Sequence, residues 1–186
     1  AFVASPNLVQ MLACGGVASL ALFLSIGIVD DRGNLAVVAR RVLLHHLVGD
    51  GLFLLAILIT WNRLGALDAT WSVGGSVIWK FVNYDAALSA EHVGVVSLIG
   101  FALLGSIVAR CSAFPLFHTA RDAGRLPAPV AGLAMAIVAP CSMTLLVRCS
   151  GVFAEAIDVR SLVLLAGVLT SVLAGISAVA QAEPRP

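Results

Sequence analysis

The sequence predicts an all-α protein that crosses a lipid bilayer several times as a polytopic transmembrane helix bundle. The first observation is composition: 60% of the 186 residues are hydrophobic and 11% are charged, against about 45–50% and about 25% in soluble domains. The second is the mean hydropathy of +1.04. The third is a set of five apolar runs. Too little polar surface remains to cover a water-soluble globule, so the apolar surface must face lipid or other apolar protein.

The five runs define the predicted spans. Each is long enough to cross about 30 Å of hydrocarbon, which takes roughly 20 residues. Each must be helical, because lipid offers no hydrogen-bond partner to an unpaired backbone group. The spans are expected at 8–29, 42–61, 93–117, 129–147 and 161–180, within one membrane domain of residues 1–186.

The connections and the small residues complete this picture. Residues 62–92 contain Gly74-Gly75, two tryptophans and a tyrosine, which is typical of a loop or short amphipathic helix at the membrane interface. Gly167, Ser171 and Gly175 recur on one face of the last run. Small residues at this spacing let helix backbones approach closely, which favours a packed bundle over isolated spans.

Charge and motifs exclude several classes of function. The net charge is +1, so no basic stripe is available to neutralise nucleic-acid phosphates. The sequence contains no phosphate-binding glycine loop, no dinucleotide fingerprint and no haem-attachment motif. We therefore expect that this chain binds no redox cofactor and that it binds lipid. The four cysteines lie in or beside apolar runs, which favours packing over a metal site: Cys14, Cys111, Cys141 and Cys149.

The second run carries His45, His46 and Asp50. Ionisable groups inside an apolar span are costly, so each is a functional candidate. His46 and Asp50 are one helical turn apart and able to interact, as in a fragment of a proton relay. The alternative, which we favour slightly, is a polar helix end near the membrane interface. In either case a carboxylate among apolar residues predicts a basic or hydroxyl group within reach of Asp50.

The third run ends with Arg110 and, five residues later, Pro115. This pattern predicts a helix that is broken inside the bundle near Pro115, where a freed carbonyl would line a polar cavity. Alternatively, Arg110 extends to the interface and Pro115 simply ends the span. Pro140, midway through the fourth run, predicts a kink or local unwinding.

Residue order carries a family resemblance. The stretch Phe23–Asp68 has an apolar helix end with Ile-Gly, a charged turn, and Val48-Gly49-Asp50 opening the next helix. The stretch Ser112–Arg148 contains Ser-Ala-Phe-Pro, then His118-Thr119, a Pro-Ala-Pro-Val helix start and a Leu-Val-Arg helix end. Together with the last helix, ending in Gln181 and Glu183, these stretches resemble subunit 5 of mitochondrial NADH dehydrogenase (respiratory complex I) and its bacterial counterpart, subunit L.

In that family the subunit is an antiporter-like proton channel, and the resemblance implies where its titratable residues fall. The family lysine falls on Cys111, with Arg110 beside it. The family glutamate falls near Gly15-Gly16, and the family histidine falls on Met135. Lysine shifts its pKa readily where arginine does not, and neither cysteine nor methionine substitutes for these groups. We therefore predict that this chain does not conduct protons by itself.

The resemblance implies a membrane-arm subunit of NADH:ubiquinone oxidoreductase, non-catalytic by itself. It would be a truncated fragment with a structural role or one half of a split proton-translocating subunit. The alternative is an active proton or cation translocator. A third interpretation is a membrane scaffold related only by descent. The expected partners are other membrane-arm subunits, a second chain carrying the rest of subunit 5, and the bilayer of the mitochondrial inner membrane or a bacterial plasma membrane. The candidate path residues of the translocator are Asp50, His45, His46, Arg110 and His118.

Overall fold

The protein is all-α in the part of the chain that the structure, a computed structural model, describes: residues 5, 7–29, 35–64, 90–111 and 126–180. Five of the helices there are long and apolar enough to cross a membrane, which confirms the predicted five-span bundle. The helices are α1 (Leu8–Val29), α2 (Ala36–Leu64), α3 (Ala90–Cys111), α4 (Ala128–Arg148), α5 (Ser150–Glu155) and α6 (Ile157–Ala180).

Helix boundaries differ from the predicted ones chiefly at α2, which begins at Ala36 and not at residue 42. Hydropathy places the start of this span too late because Arg40 and Arg41 are charged and interrupt the apolar run. Both arginines are exposed on the helix, where long basic side chains can reach water while their backbone stays helical. The prediction that His45, His46 and Asp50 lie at a helix end is therefore wrong, because Asp50 lies near the middle of α2.

The last span also begins earlier than predicted, at Ile157, and the short helix α5 before it is not among the predicted elements. The backbone N–H of Cys149 donates to the carbonyl of Leu145, and that of Ala156 donates to Val152. These bonds link α4, α5 and α6 with little irregular backbone. Cys149 is buried in the apolar core, and burial raises the pKa of its thiol to about 12. Its burial supports the prediction that the cysteines pack as small apolar side chains.

The interior consists of two apolar clusters. The larger joins Met11 of α1 and Phe53 of α2 to α3, α5 and the start of α6. The smaller joins Leu22 of α1 and Val38 of α2 to the start of α4. Between the residues of the two clusters, α1 carries the polar side chain of Ser19, and α2 carries those of His46 and Asp50. These polar side chains of adjacent helices therefore lie between two apolar layers.

Arg148 ties the end of α4 to the beginning of the chain. Its Nη1 donates to the backbone carbonyl of Ser5 and lies 3.7 Å from the Sδ atom of Met11. A charged donor satisfies a buried carbonyl more strongly than a neutral one. This contact fixes Ser5 against α4 at the edge of the larger cluster.

α4 stays helical through Pro140, so the local unwinding predicted there is not found. Proline lacks the N–H that would bond to the preceding turn, and hydroxyl groups beside it bond to carbonyls of the same helix. Ser142 Oγ donates to the Val138 carbonyl at 3.1 Å, and Thr144 Oγ1 donates to the Pro140 carbonyl at 2.8 Å. A kink without unwinding stays a prediction.

α6 packs on the bundle only near its beginning. Val159 is fully buried and lies so close to Gly100 of α3 that a Cβ there would be 3.1 Å from Val159 Cγ2. Only 6% of the α6 span is buried. A Cβ added to Gly167 or Gly175 would have no neighbouring atom within 4 Å, so the predicted small-residue packing face is not used within the described residues.

Candidate functional site

Polar side chains of α1, α2 and α3 meet in one site inside the bundle. Its buried or half-buried polar side chains are Ser19 of α1, His46 and Asp50 of α2, and Ser106 and Arg110 of α3. His46 and Asp50 are one turn apart, as are Ser106 and Arg110, so each pair lies on a single helix face. Three helices therefore contribute to the site.

Asp50 and Arg110 form the central contact of the site. Arg110 Nη2 donates to Asp50 Oδ1, and the side chain of Arg110 is 5% exposed while that of Asp50 is 17% exposed. The prediction of a basic or hydroxyl group within reach of Asp50 is therefore confirmed, and the group is basic. The alternative in which Arg110 extends to the interface is wrong, because the guanidinium lies inside the bundle. A buried charge is stable only when it is paired and hydrogen-bonded.

The side chain of Arg110 lies between two glycines. A Cβ added to Gly15 of α1 would be 2.6 Å from Arg110 Nη1, and one added to Gly49 of α2 would be 2.9 Å from Arg110 Cγ. Real Cβ atoms essentially never approach other heavy atoms so closely. α1 and α2 therefore touch the arginine through bare backbone.

An aromatic ring completes the surroundings of Arg110. Phe53 is one turn from Gly49 on α2 and is fully buried. The Arg110 Cζ atom lies 5.9 Å from the centroid of its ring, within the distance at which a cation is attracted to an aromatic face. The guanidinium thus has a carboxylate as its charged partner and an apolar ring as a supporting surface.

His46 does not pair with Asp50, although the two are one turn apart on α2. Its Nδ1 atom lies 2.8 Å from Ser19 Oγ of α1. Ser19 Oγ also donates to the Gly15 carbonyl of its own helix at 2.9 Å. Because the Ser19 hydroxyl donates its proton to that carbonyl, its oxygen accepts a hydrogen bond from His46. The Nδ1 atom of His46 then carries the ring proton. Asp50 turns to the arginine of α3 because a charged partner is stronger than a neutral one.

The remaining predicted residues fall outside this site. His45 is half-buried, and its Nδ1 lies 2.7 Å from the Arg41 carbonyl of its own helix. Pro115 and His118 lie outside the described residues, so the break near Pro115 and any role of His118 stay predictions. Cys111, matched by the resemblance to the family lysine, lies beside Ser142 of α4. Arg110, and not Cys111, reaches Gly15.

Comparison with known proteins decides the family. The chain matches the family model described as NADH:quinone oxidoreductase/Mrp antiporter, TM, over residues 5–185. The chain belongs to this family. The match includes all six helices, and therefore every residue of the polar site.

Two curated relatives of this antiporter family match more weakly. One is NADH-quinone oxidoreductase subunit L of Pseudomonas aeruginosa, 28% identical over 165 residues, which are 88% of this chain and 25% of the relative. The other is F(420)H(2) dehydrogenase subunit L of Methanosarcina mazei, 25% identical over 183 residues, which are 93% of this chain and 27% of the relative. The chain spans about a quarter of the length of these relatives.

Sequence reasoning missed Ser19 and Ser106 as members of the site and considered Gly15 and Gly49 only as matched positions. A signal for two of them was present, since Gly15 and Ser19 are small residues one turn apart, a spacing typical of helix contacts. Ser106 Oγ and Arg110 Nε are buried without a hydrogen-bond partner among the described residues. The described residues contain no group of three or more His, Cys, Asp or Glu side chains arranged to hold a metal ion.

Replacing Ser19 with alanine should destabilise this antiporter-family protein measurably. The change leaves His46, which is only 8% exposed, without its partner, and an unsatisfied buried polar group costs about 1–3 kcal/mol. Thermal unfolding of the full chain in detergent measures the effect. Ser25→Ala is the matched control, because the Ser25 hydroxyl donates to the Ala21 carbonyl of its own helix. Equal melting temperatures for the two variants would contradict the role given to the His46–Ser19 contact.

Proposed function

We propose that this protein is a membrane-arm component, of the subunit L type, in an oxidoreductase complex that translocates protons. Its own part is to hold a helix bundle together and to place a fixed charge pair in it. The observation that carries the proposal is the buried Asp50–Arg110 pair within five helices able to span the membrane. Family membership and the two relatives named subunit L support the same role.

Arginine makes the pair a poor proton carrier. A guanidinium keeps its proton at any ordinary pH, whereas a lysine ammonium can lose its proton when buried. The pair therefore sets an electric field without passing a proton along. α1 contributes no aspartate, glutamate or histidine, so the carboxylate and the imidazole of the site both come from α2.

The expected partners follow from the length of the relatives and from the exposed apolar surface. The relatives are about four times as long as the matched segment, so the fold of a whole subunit needs further polypeptide, in this protein or in a second chain. α6 is apolar and mostly exposed, as expected for a helix that faces lipid or another membrane subunit. The relatives are bacterial and archaeal, which favours a plasma membrane over the mitochondrial inner membrane.

An active translocator is the second candidate. The observation that favours it is the 2.8 Å contact between His46 and Ser19, one helical turn from Asp50. A neutral imidazole has one ring nitrogen that accepts and one that donates a proton, and hydroxyl groups can continue a hydrogen-bonded chain. In this case protons would move between Ser19, His46 and Asp50, with Arg110 as the fixed positive charge beside them.

Proton pumping by the intact complex distinguishes the two candidates. The complex is first purified in mild detergent through this chain, and co-purifying membrane subunits together with dehydrogenase activity are expected. Asp50→Asn and His46→Ala are then made, with Ser25→Ala as a control outside the site. Under the structural role, pumping per assembled complex should stay within about twofold of the unmodified protein, although the amount of assembled complex falls as buried partners are lost.

Loss of pumping in a fully assembled complex would contradict the structural role and favour the translocator. Purification of the chain without other membrane subunits or dehydrogenase activity would contradict both. Because assembly and pumping are measured separately, a folding defect cannot be mistaken for a lost proton path.

A further inference from the structure

Two glycines on different helices form the walls around Arg110. At Gly15 an added Cβ would be 2.6 Å from Nη1, 3.0 Å from Nη2 and 3.3 Å from Cζ of Arg110, so α1 touches the guanidinium itself. At Gly49 an added Cβ would be 2.9 Å from Arg110 Cγ and 3.2 Å from the Ser106 carbonyl oxygen, so α2 touches the aliphatic stem and the backbone of α3. Each glycine therefore meets a different part of the same residue.

These contacts are specific to the site and are not a general property of glycine in this bundle. A Cβ added to Gly27 of α1 or Gly51 of α2 would have no neighbour within 4 Å, and one added to Gly16 would meet Asp50 Oδ2 at 3.9 Å, an ordinary van der Waals distance. Gly15 and Gly49 differ from glycines on the same two helices because α3 directs its arginine at them.

We propose that Gly15 and Gly49 are positioning residues that form a steric cradle for Arg110 and thereby hold its guanidinium on Asp50. Gly15 leaves room for the guanidinium of Arg110 and so limits which cation fits beside α1. Gly49 sets the distance between α2 and α3, which brings Asp50 into reach. The cradle deepens the proposed function and rests on it for the role of the charge pair.

The two walls should respond differently to lysine at position 110. Lysine keeps a methylene at Cγ but has no Nη1, Nη2 or Cζ atom, and its stem is more flexible than the guanidinium fork. Arg110→Lys should therefore relieve the clash that Gly15→Ala creates. It should not relieve the clash of Gly49→Ala, because the Cγ atom and the Ser106 carbonyl remain in place.

The test is the melting temperature of the full chain in detergent for Gly15→Ala, Gly49→Ala, Arg110→Lys and the two combinations with Arg110→Lys. Gly27→Ala and Gly51→Ala are the matched controls, one on each helix. Overpacking should lower the melting temperature by on the order of 5 °C for Gly49→Ala, where the neighbours are Arg110 Cγ and the backbone of α3. The loss should be smaller for Gly15→Ala, where the guanidinium is the end of a flexible side chain. The controls should be unchanged or higher, since alanine favours helix over glycine.

The decisive comparison is between the two combinations. We expect Gly15→Ala to lower the melting temperature much less in the Arg110→Lys protein than in the protein with Arg110. Gly49→Ala should lower it equally in both. Recovery in both, recovery in neither, or cradle variants as stable as the controls would overturn the cradle. If a single variant does not fold, the folded fraction of its combination gives the same comparison. The outcome is independent of proton pumping, so the cradle and the proposed function can fail separately.

Discussion

Asp50→Ala is expected to lower the free energy of unfolding by about 3–5 kcal/mol, because it leaves the buried charge of Arg110 without a partner. Arg110 is 4% exposed, and water cannot replace the carboxylate without opening the contact between α1, α2 and α3. The loss comes from leaving a buried charge unpaired. The intact pair itself contributes less, because desolvation offsets much of the attraction between buried ions. Chemical unfolding of the full chain in mixed micelles measures it.

The matched comparison is the double variant Asp50→Leu with Arg110→Met. Replacing both partners by apolar side chains removes the charge as well as its partner, and such replacements are often neutral or stabilising in other proteins. We therefore expect the double variant to be more stable than Asp50→Ala. A double variant that is less stable than the single one would show that the pair itself, and not the unpaired charge, supplies the stability.

Phe53→Ala is the second large expected effect, a loss of about 3–5 kcal/mol, as is usual when a buried phenylalanine is truncated. Phe53 is 0% exposed and belongs to the larger apolar cluster. Its removal leaves a cavity and also takes away the ring beside the Arg110 guanidinium. The same unfolding measurement in mixed micelles gives the loss.

Leu54→Ala is the control for Phe53→Ala, because Leu54 is the next residue of α2 and is 45% exposed. Its truncation should cost well under half as much, since the side chain faces outwards and leaves no closed cavity. Phe53→Leu should fall between the two because it keeps most of the volume. Equal losses for the neighbouring alanine variants would show that α2 is oriented differently in the bundle.

The spans could be predicted from sequence because lipid leaves an apolar run of about 20 residues one backbone solution, the helix. The beginnings of α2 and α6 could not, because hydropathy falls at the first charged residues while the helix continues. Arg40 and Arg41 stay helical and exposed on α2. The short helix α5 was missed because its six residues give too little periodicity for any pattern.

For the site, sequence analysis identified the costly residues but not their partners. Asp50, His46 and Arg110 were candidates because ionisable groups in an apolar span are rare. The spacing within α2 would allow a contact between His46 and Asp50, but that contact is not the one that forms. Each of the two instead pairs with another helix, His46 with Ser19 and Asp50 with Arg110.

The amino-acid sequence by itself thus determined the class of this protein, the number of its described spans and the resemblance to its family, because composition and residue order decide these without knowledge of helix orientation. Only the tertiary structure decided that Arg110 and not Cys111 enters the site, that Asp50 is its partner, and that Gly15 and Gly49 enclose it. Asp50 and Arg110 are 60 residues apart in the chain. Their contact depends on how three helices rotate and approach one another, which side-chain packing sets and periodicity along one helix does not.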